Sequence, residues 1–190
     1  MKFVGNCADV INWYDVIDSL QGNPGESIGK TSQVFDANGD PVDKRPFHYE
    51  QALLIKQAGY NKSDTIEWIN YYVEKDFSKE VEIQFAKFLD VDPGCAWISS
   101  IRPGKCIPYH WDFDYGKWDE DIVKNKHKAI RYTCHIGDPK FGHVFATDDH
   151  CFYNQQNGNI YRWNNLNLYH GGSNFGIEQK YLFNFIGYTK

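Results

Sequence analysis

The sequence predicts a mainly β fold with helices in its N-terminal half, an α+β chain whose second half closes as a jelly roll. Three observations predict it. Beyond about residue 95 the apolar pattern changes from helical spacing to short runs rich in β-branched and aromatic residues. Eight such runs follow, at about 95–102, 105–111, 129–136, 141–147, 150–154, 159–163, 166–170 and 180–188. Turn formers separate them: Pro103-Gly104, a polar loop at 112–128, Gly137-Asp138-Pro139, Thr147-Asp148-Asp149 and Asn157-Gly158. Eight short strands at this spacing suit two facing sheets.

The first half reads differently. Residues 21–45 are rich in Gly, Asn, Asp, Ser and Pro and predict an irregular arm. A helix is predicted from Tyr49 to about Ala58, ending near Gly59. A second is predicted to start at a Ser63 N-cap, with Ile66, Ile69, Tyr72 and Val73 on one stripe. A third starts near Ser78 and stripes Val81, Phe85, Phe88 and Leu89 before Asp92-Pro93-Gly94. Residues 1–190 are thus expected to form one domain. Residues 1–94, mainly helical and irregular, would pack on a barrel built from 95–190. The last run adds a constraint, because side chains alternate along a strand. Lys180, Leu182, Asn184 and Ile186 share one face, and Tyr181, Phe183 and Phe185 the other. If Lys180 points into the barrel, three aromatics point outward, and the helices between 49 and 90 would cover them.

Composition narrows the class. With 190 residues, 42% of them hydrophobic and 17% aromatic, the chain can bury a sizeable core, which argues against disorder. A net charge of −5 argues against a basic nucleic-acid surface. No stretch approaches the roughly 18 apolar residues of a membrane span. The start, from Met1 to Asp9, loses its apolar character too early for a secretory signal. The five cysteines, Cys7, Cys95, Cys106, Cys134 and Cys151, are scattered, with no C-x-x-C pair. That pattern suits free thiols in a reducing cytoplasm, not a zinc ribbon or a disulfide framework.

The residues that carry chemistry lie in the second half. His110-Trp111-Asp112 is answered much later by His170, in Leu168-Tyr169-His170-Gly171-Gly172. Two imidazoles and one carboxylate can hold a non-haem Fe(II) on one face and leave coordination positions open. Lys180 follows as a fixed cation in an apolar run. Together, His110, Asp112, His170 and Lys180 resemble the Fe(II)/2-oxoglutarate-dependent dioxygenase family, over roughly the last 95 residues. Gly104-Lys105, Pro108, His110, Asp112-Phe113 and the Gly176 to Lys180 ending look like its prolyl 4-hydroxylase branch.

The resemblance implies a double-stranded β-helix, Fe(II) held by His110, Asp112 and His170, and 2-oxoglutarate as co-substrate with dioxygen. It also implies hydroxylation of a peptide side chain or a small molecule, with succinate and carbon dioxide as co-products. The distal carboxylate of 2-oxoglutarate needs a cation, or a charge is buried without a partner. Lys180 is one candidate and Arg131 the other. A hydroxyl from Tyr109, Tyr132 or Thr133 would assist, depending on which strand face turns inward. Arg131, Thr133 and His135 share a face of their strand, and that face points either into the barrel or to solvent. The loop at 112–128 is a candidate lid. The rival reading is a jelly-roll metal-binding or cupin-type protein that does not use 2-oxoglutarate, with a second histidine set, His135, His143 and His150, as a different metal cluster.

Overall fold

The computed structural model describes residues 1–27, 30–44, 46–62, 64–110, 127–164, 166 and 168–190. Eleven named strands form two sheets among these residues. The expected barrel strands are β4 (Asp92–Ile101), β5 (Cys106–His110), β6 (Ala129–Ile136), β7 (His143–Thr147), β8 (Cys151–Tyr153), β9 (Asn159–Arg162), β10 (His170–Asn174) and β11 (Lys180–Tyr188). Their pairing is nested and antiparallel. The first strand pairs with the last, β4 with β11, then β5 with β10, β6 with β9 and β7 with β8. Successive nested pairs fall alternately in the two sheets, so the folded-back chain winds as a double-stranded β-helix. The fold is the one expected.

Three strands lie in the N-terminal half and extend the larger sheet at both edges. β1 (Lys2–Asn6) pairs with β9, while β3 (Ile69–Tyr72) pairs with β4 and carries β2 (Glu26–Ser27) outside it. The larger sheet therefore runs β1-β9-β6-β11-β4-β3-β2, and the smaller one runs β5-β10-β7-β8. β3 corrects the helix predicted from Ser63. Ile69 and Tyr71 enter the core on one side of the strand, and Asn70 is buried on the other. A period of two therefore wins over the apparent helical stripe, because pairing to β4 satisfies the backbone and buries both faces.

A second correction concerns the run at 166–170, since the strand begins at His170 and continues through Gly171 and Gly172. These glycines read as a strand end but are needed in the strand. A Cβ at Gly171 would meet the Ile107 carbonyl at 3.0 Å and Tyr109 Cα at 3.1 Å.

The helices predicted at 49–58 and from Ser78 are present as α3 (Pro46–Gln57) and α4 (Lys79–Leu89), after α1 (Trp13–Ser19) and α2 (Thr31–Val34). Ser78 caps α4, accepting from the Glu80 backbone N–H at 3.2 Å, and Asp90 closes it with a left-handed φ of 55°. The outward aromatics Phe183 and Phe185 of β11 are covered by α4, one of the expected helices, and by α1, while Tyr181 is half-buried. Phe183 sits 4.8 Å from Phe85 of α4 and 5.1 Å from Trp13 of α1, between ring centroids. α3 instead packs Ala52 near Phe35 and Ile66. Inside the barrel lies a second cluster of Phe145, Phe152, Trp163, Leu168, Leu182 and Met1. Among the described residues, no helix is long and apolar enough to cross a membrane.

Candidate metal centre

His110 ends β5 and His170 begins β10, and the two residues stand directly opposite each other in the ladder. Their ring centroids are 4.4 Å apart. Each ring is anchored in the same way. His110 Nδ1 hydrogen-bonds the Pro108 carbonyl at 2.7 Å, and His170 Nδ1 bonds the Leu168 carbonyl at 3.0 Å. A carbonyl only accepts, so each Nδ1 carries a proton, and a neutral ring held this way offers its lone pair at Nε2, the tautomer a metal ligand needs.

Packing fixes both planes. Trp163 presents its edge to His170 at 4.7 Å, with Phe145 at 6.1 Å, while His110 stacks on Trp68 at 6.3 Å. Trp68 carried no signal in the sequence. It is brought here because residues 65–67 hydrogen-bond the edge of β5, with the Cys106 N–H donating to the Thr65 carbonyl at 2.8 Å.

The third expected ligand, Asp112, lies outside the described residues, as does most of the candidate lid at 112–128. Among the described residues, no group of three or more His, Cys, Asp or Glu side chains could hold a metal. That finding also removes the second histidine cluster: His135, His143 and His150 do not assemble. His143 Nε2 bonds the Glu178 carbonyl at 3.0 Å, and His150 pairs with Asp149 at 2.9 Å.

Lys180 is the first residue of β11 and is only 3% exposed. Its ammonium donates to the Val144 carbonyl and, among the described residues, pairs with no carboxylate. Burial lowers its pKa to about 7. Gly172, two residues after His170, lies on the same face of β10. A Cβ there would come within 3.2 Å of Lys180 Nζ and 3.0 Å of Ile101 Cδ1. Glycine therefore adds no side chain of its own beside the ammonium, while Phe145, directly opposite in the ladder, lies 5.8 Å from Lys180 Nζ and 6.1 Å from the His170 ring. The described residues thus bring two anchored imidazoles and one buried ammonium to the same side of the smaller sheet and its neighbour β11.

Arg131 also faces into the barrel, at 3% exposed, so the solvated-face alternative fails. Its guanidinium lies 3.8 Å from the Trp163 ring centroid and 5.3 Å from that of Trp97. Arg131 is opposite Ile186, whereas Lys180 is opposite Ile101 at the other end of β11. Six residues along a strand span about 20 Å, so the two cations cannot share one carboxylate.

The three candidate hydroxyls separate as well. Tyr109 points outward, donating to Asp148 at 2.5 Å and stacking on Tyr169, and burial together with that carboxylate pushes its pKa up to about 12. Tyr132 belongs to the outer core. Thr133 points inward but is engaged, accepting from Trp163 Nε1 at 2.9 Å and donating to Asn184 Oδ1 at 3.3 Å.

No family model matches the chain, and no curated protein matches it in sequence. Several solved structures align with it. A viral collagen prolyl hydroxylase from Paramecium bursaria Chlorella virus-1, solved with 2OG, aligns over 88% of this chain and 98% of its own, at 14% identity and a TM-score of 0.46. A predicted oxalate decarboxylase from Thermotoga maritima aligns over 64% and 81%, at 11% identity and a TM-score of 0.39. A cupin 2 conserved barrel domain protein from Salinispora arenicola aligns over 64% and 75%, at 11% identity and a TM-score of 0.35. Likeness at this level assigns no activity to the chain.

Proposed function

We propose that this protein is an Fe(II)/2-oxoglutarate-dependent dioxygenase that hydroxylates a peptide side chain or a small molecule. The observation that carries the proposal is the line from the His110–His170 pair, past Gly172, to the buried ammonium of Lys180. His110 and His170 would hold the metal through Nε2, with Asp112 as the carboxylate two residues after His110. Lys180 would hold the distal carboxylate of 2-oxoglutarate as a charge-assisted donor. Bound iron would supply the oxidation, converting 2-oxoglutarate, dioxygen and a substrate C–H into succinate, carbon dioxide and C–OH.

The chain's own side chains do the rest. Trp163, Phe145 and Trp68 pack against the imidazoles, and Phe145, Phe152 and Leu182 would keep the interior apolar around a bound metal and co-substrate. Arg131, set against the Trp163 ring that packs on His170, would face the substrate. The direct test is succinate formation from 2-oxoglutarate under air, with and without Fe(II). Iron-dependent succinate that is lost in Lys180→Ala supports the reading. Metal binding with no consumption of 2-oxoglutarate under any condition contradicts it and favours a metal-binding jelly roll.

A further inference from the structure

His135 faces into the barrel from β6, and nothing in the chemistry above uses it. It stands opposite Leu182, which places it diagonal to Lys180 across the β6–β11 ladder, with Cα atoms roughly 7–8 Å apart. Its ring lies among Phe145 at 6.2 Å, Phe152 at 6.0 Å and Tyr161 at 5.8 Å. Its Nε2 is buried and has no hydrogen-bond partner. An imidazole buried without a partner costs stability, so the site retains a polar atom that the apolar packing does not need. A cavity of about 20 Å³ lies at this end of the barrel, lined by His135, His143, Gln155, Lys180 and Tyr181. It has room for about one water.

We infer that His135 is a positioning residue for the co-substrate, its Nε2–H donating to the distal carboxylate that Lys180 holds by charge. The inference rests on the Fe(II)/2-oxoglutarate reading and adds a second donor at the end of that site. The two groups divide the work. Burial first, and the nearby Lys180 ammonium second, lower the His135 pKa to about 3, so the imidazole is neutral beside the cation. A neutral donor completes the carboxylate's hydrogen bonding without a second buried positive charge. The Lys180 ammonium, bonded to the Val144 carbonyl in this structure, can exchange that weak acceptor for the carboxylate. None of the three candidate hydroxyls stands where His135 does, since Tyr109 is outside, Tyr132 is in the outer core, and Thr133 is two residues further along β6 and already engaged.

The test is anaerobic calorimetric binding in the presence of Fe(II), using two probes on each protein. One probe is 2-oxoglutarate; the other is 2-oxobutanoate, which has the same chelating head and no distal carboxylate. His135→Phe is expected to lose roughly 10–100-fold in affinity for 2-oxoglutarate, the span of one hydrogen bond to a charged group. Its affinity for 2-oxobutanoate should stay at the wild-type value. His135→Gln, which keeps an N–H donor, should recover part of the loss and guards against a folding defect in the Phe variant. Unchanged 2-oxoglutarate affinity in both variants overturns the role of His135, as does an equal loss for both probes. If wild-type protein with bound iron ignores both probes, the Fe(II)/2-oxoglutarate reading itself fails.

Discussion

The two faces of β11 are built from the same strand and used for opposite purposes. Outward, Phe183 and Phe185 are fully buried against Phe85 and Trp13, with no polar atom among those contacts except the Trp13 indole nitrogen. Inward, Lys180 and Asn184 are buried almost as deeply, next to Arg131, Thr133 and His135 of β6. Part of the inward face is satisfied by a hydrogen-bonded chain across four strands. Asn184 Nδ2 donates to Ser99 Oγ at 3.2 Å, Ser99 donates to Asn70 at 2.8 Å, and Thr133 donates to Asn184 at 3.3 Å. Lys180 and His135 stand outside that chain. The difference teaches that burial alone does not separate the faces. The outward one leaves an indole N–H without a hydrogen bond, whereas the inward one buries an ammonium with no carboxylate partner among the described residues, beside an imidazole nitrogen without a hydrogen bond.

The comparison can be broken most directly at Lys180. Lys180→Met removes a buried charge that has no carboxylate partner among the described residues, so thermal stability should stay the same or rise. The same change should weaken 2-oxoglutarate binding by at least about 100-fold, because one carboxylate of the bound dianion loses its cation. Thermal melts beside anaerobic titrations would show it, and a destabilised variant that still binds normally would erase the distinction between the faces.

Phe183→Ala should do the reverse. It opens a cavity under α1 and α4 and should cost about 3–5 kcal/mol of folding stability, measured by urea unfolding. Affinity for 2-oxoglutarate in the folded fraction should change less than about twofold, since ring and site lie on opposite faces.

A smaller effect comes from pH. The titratable groups facing Lys180 are His135, His143 and Cys151, and burial lowers the pKa of both histidines. None of them supplies a carboxylate to hold the ammonium charged. Affinity for 2-oxoglutarate should therefore fall as pH rises above about 7, by up to tenfold per unit, as Lys180 loses its proton. Stability runs the other way. The unfolded lysine titrates near 10.4, so the unfolded chain binds the extra proton between about 7 and 10.4. The stability tied to this group is fully present above that window and is lost as pH falls through it. In Lys180→Met both slopes should flatten, and binding that is level from pH 6 to 9 in wild type would remove Lys180 from the site.

Much of this architecture was legible because it rests on local rules. Turn formers between short β-rich runs predicted eight strands, and alternation along 180–188 predicted that Lys180 faces away from Phe183 and Phe185. Non-local pairing explains what was missed. Ile66, Ile69, Tyr72 and Val73 fit a helical stripe, yet the open edge of β4 recruits Ile69–Tyr72 as a strand. Gly171 and Gly172 look like a break until β5 and β7 are placed on either side of them. The histidine pair was visible as residue types, but its anchoring to Pro108 and Leu168, and the stacking of Trp68 from the first half of the chain, required the fold. His135 was legible only as a member of the Arg131 and Thr133 face; that its Nε2 lacks a partner is a property of packing.

The measurement that tests the central claim most directly is anaerobic visible spectroscopy of the metal-free protein, given Fe(II) and then 2-oxoglutarate. The account predicts a new charge-transfer absorption that requires both additions and is absent in His170→Ala, in which one of the two facing imidazoles is gone. Iron binding that leaves the spectrum unchanged on addition of 2-oxoglutarate, or an absorption that persists in His170→Ala, would contradict it.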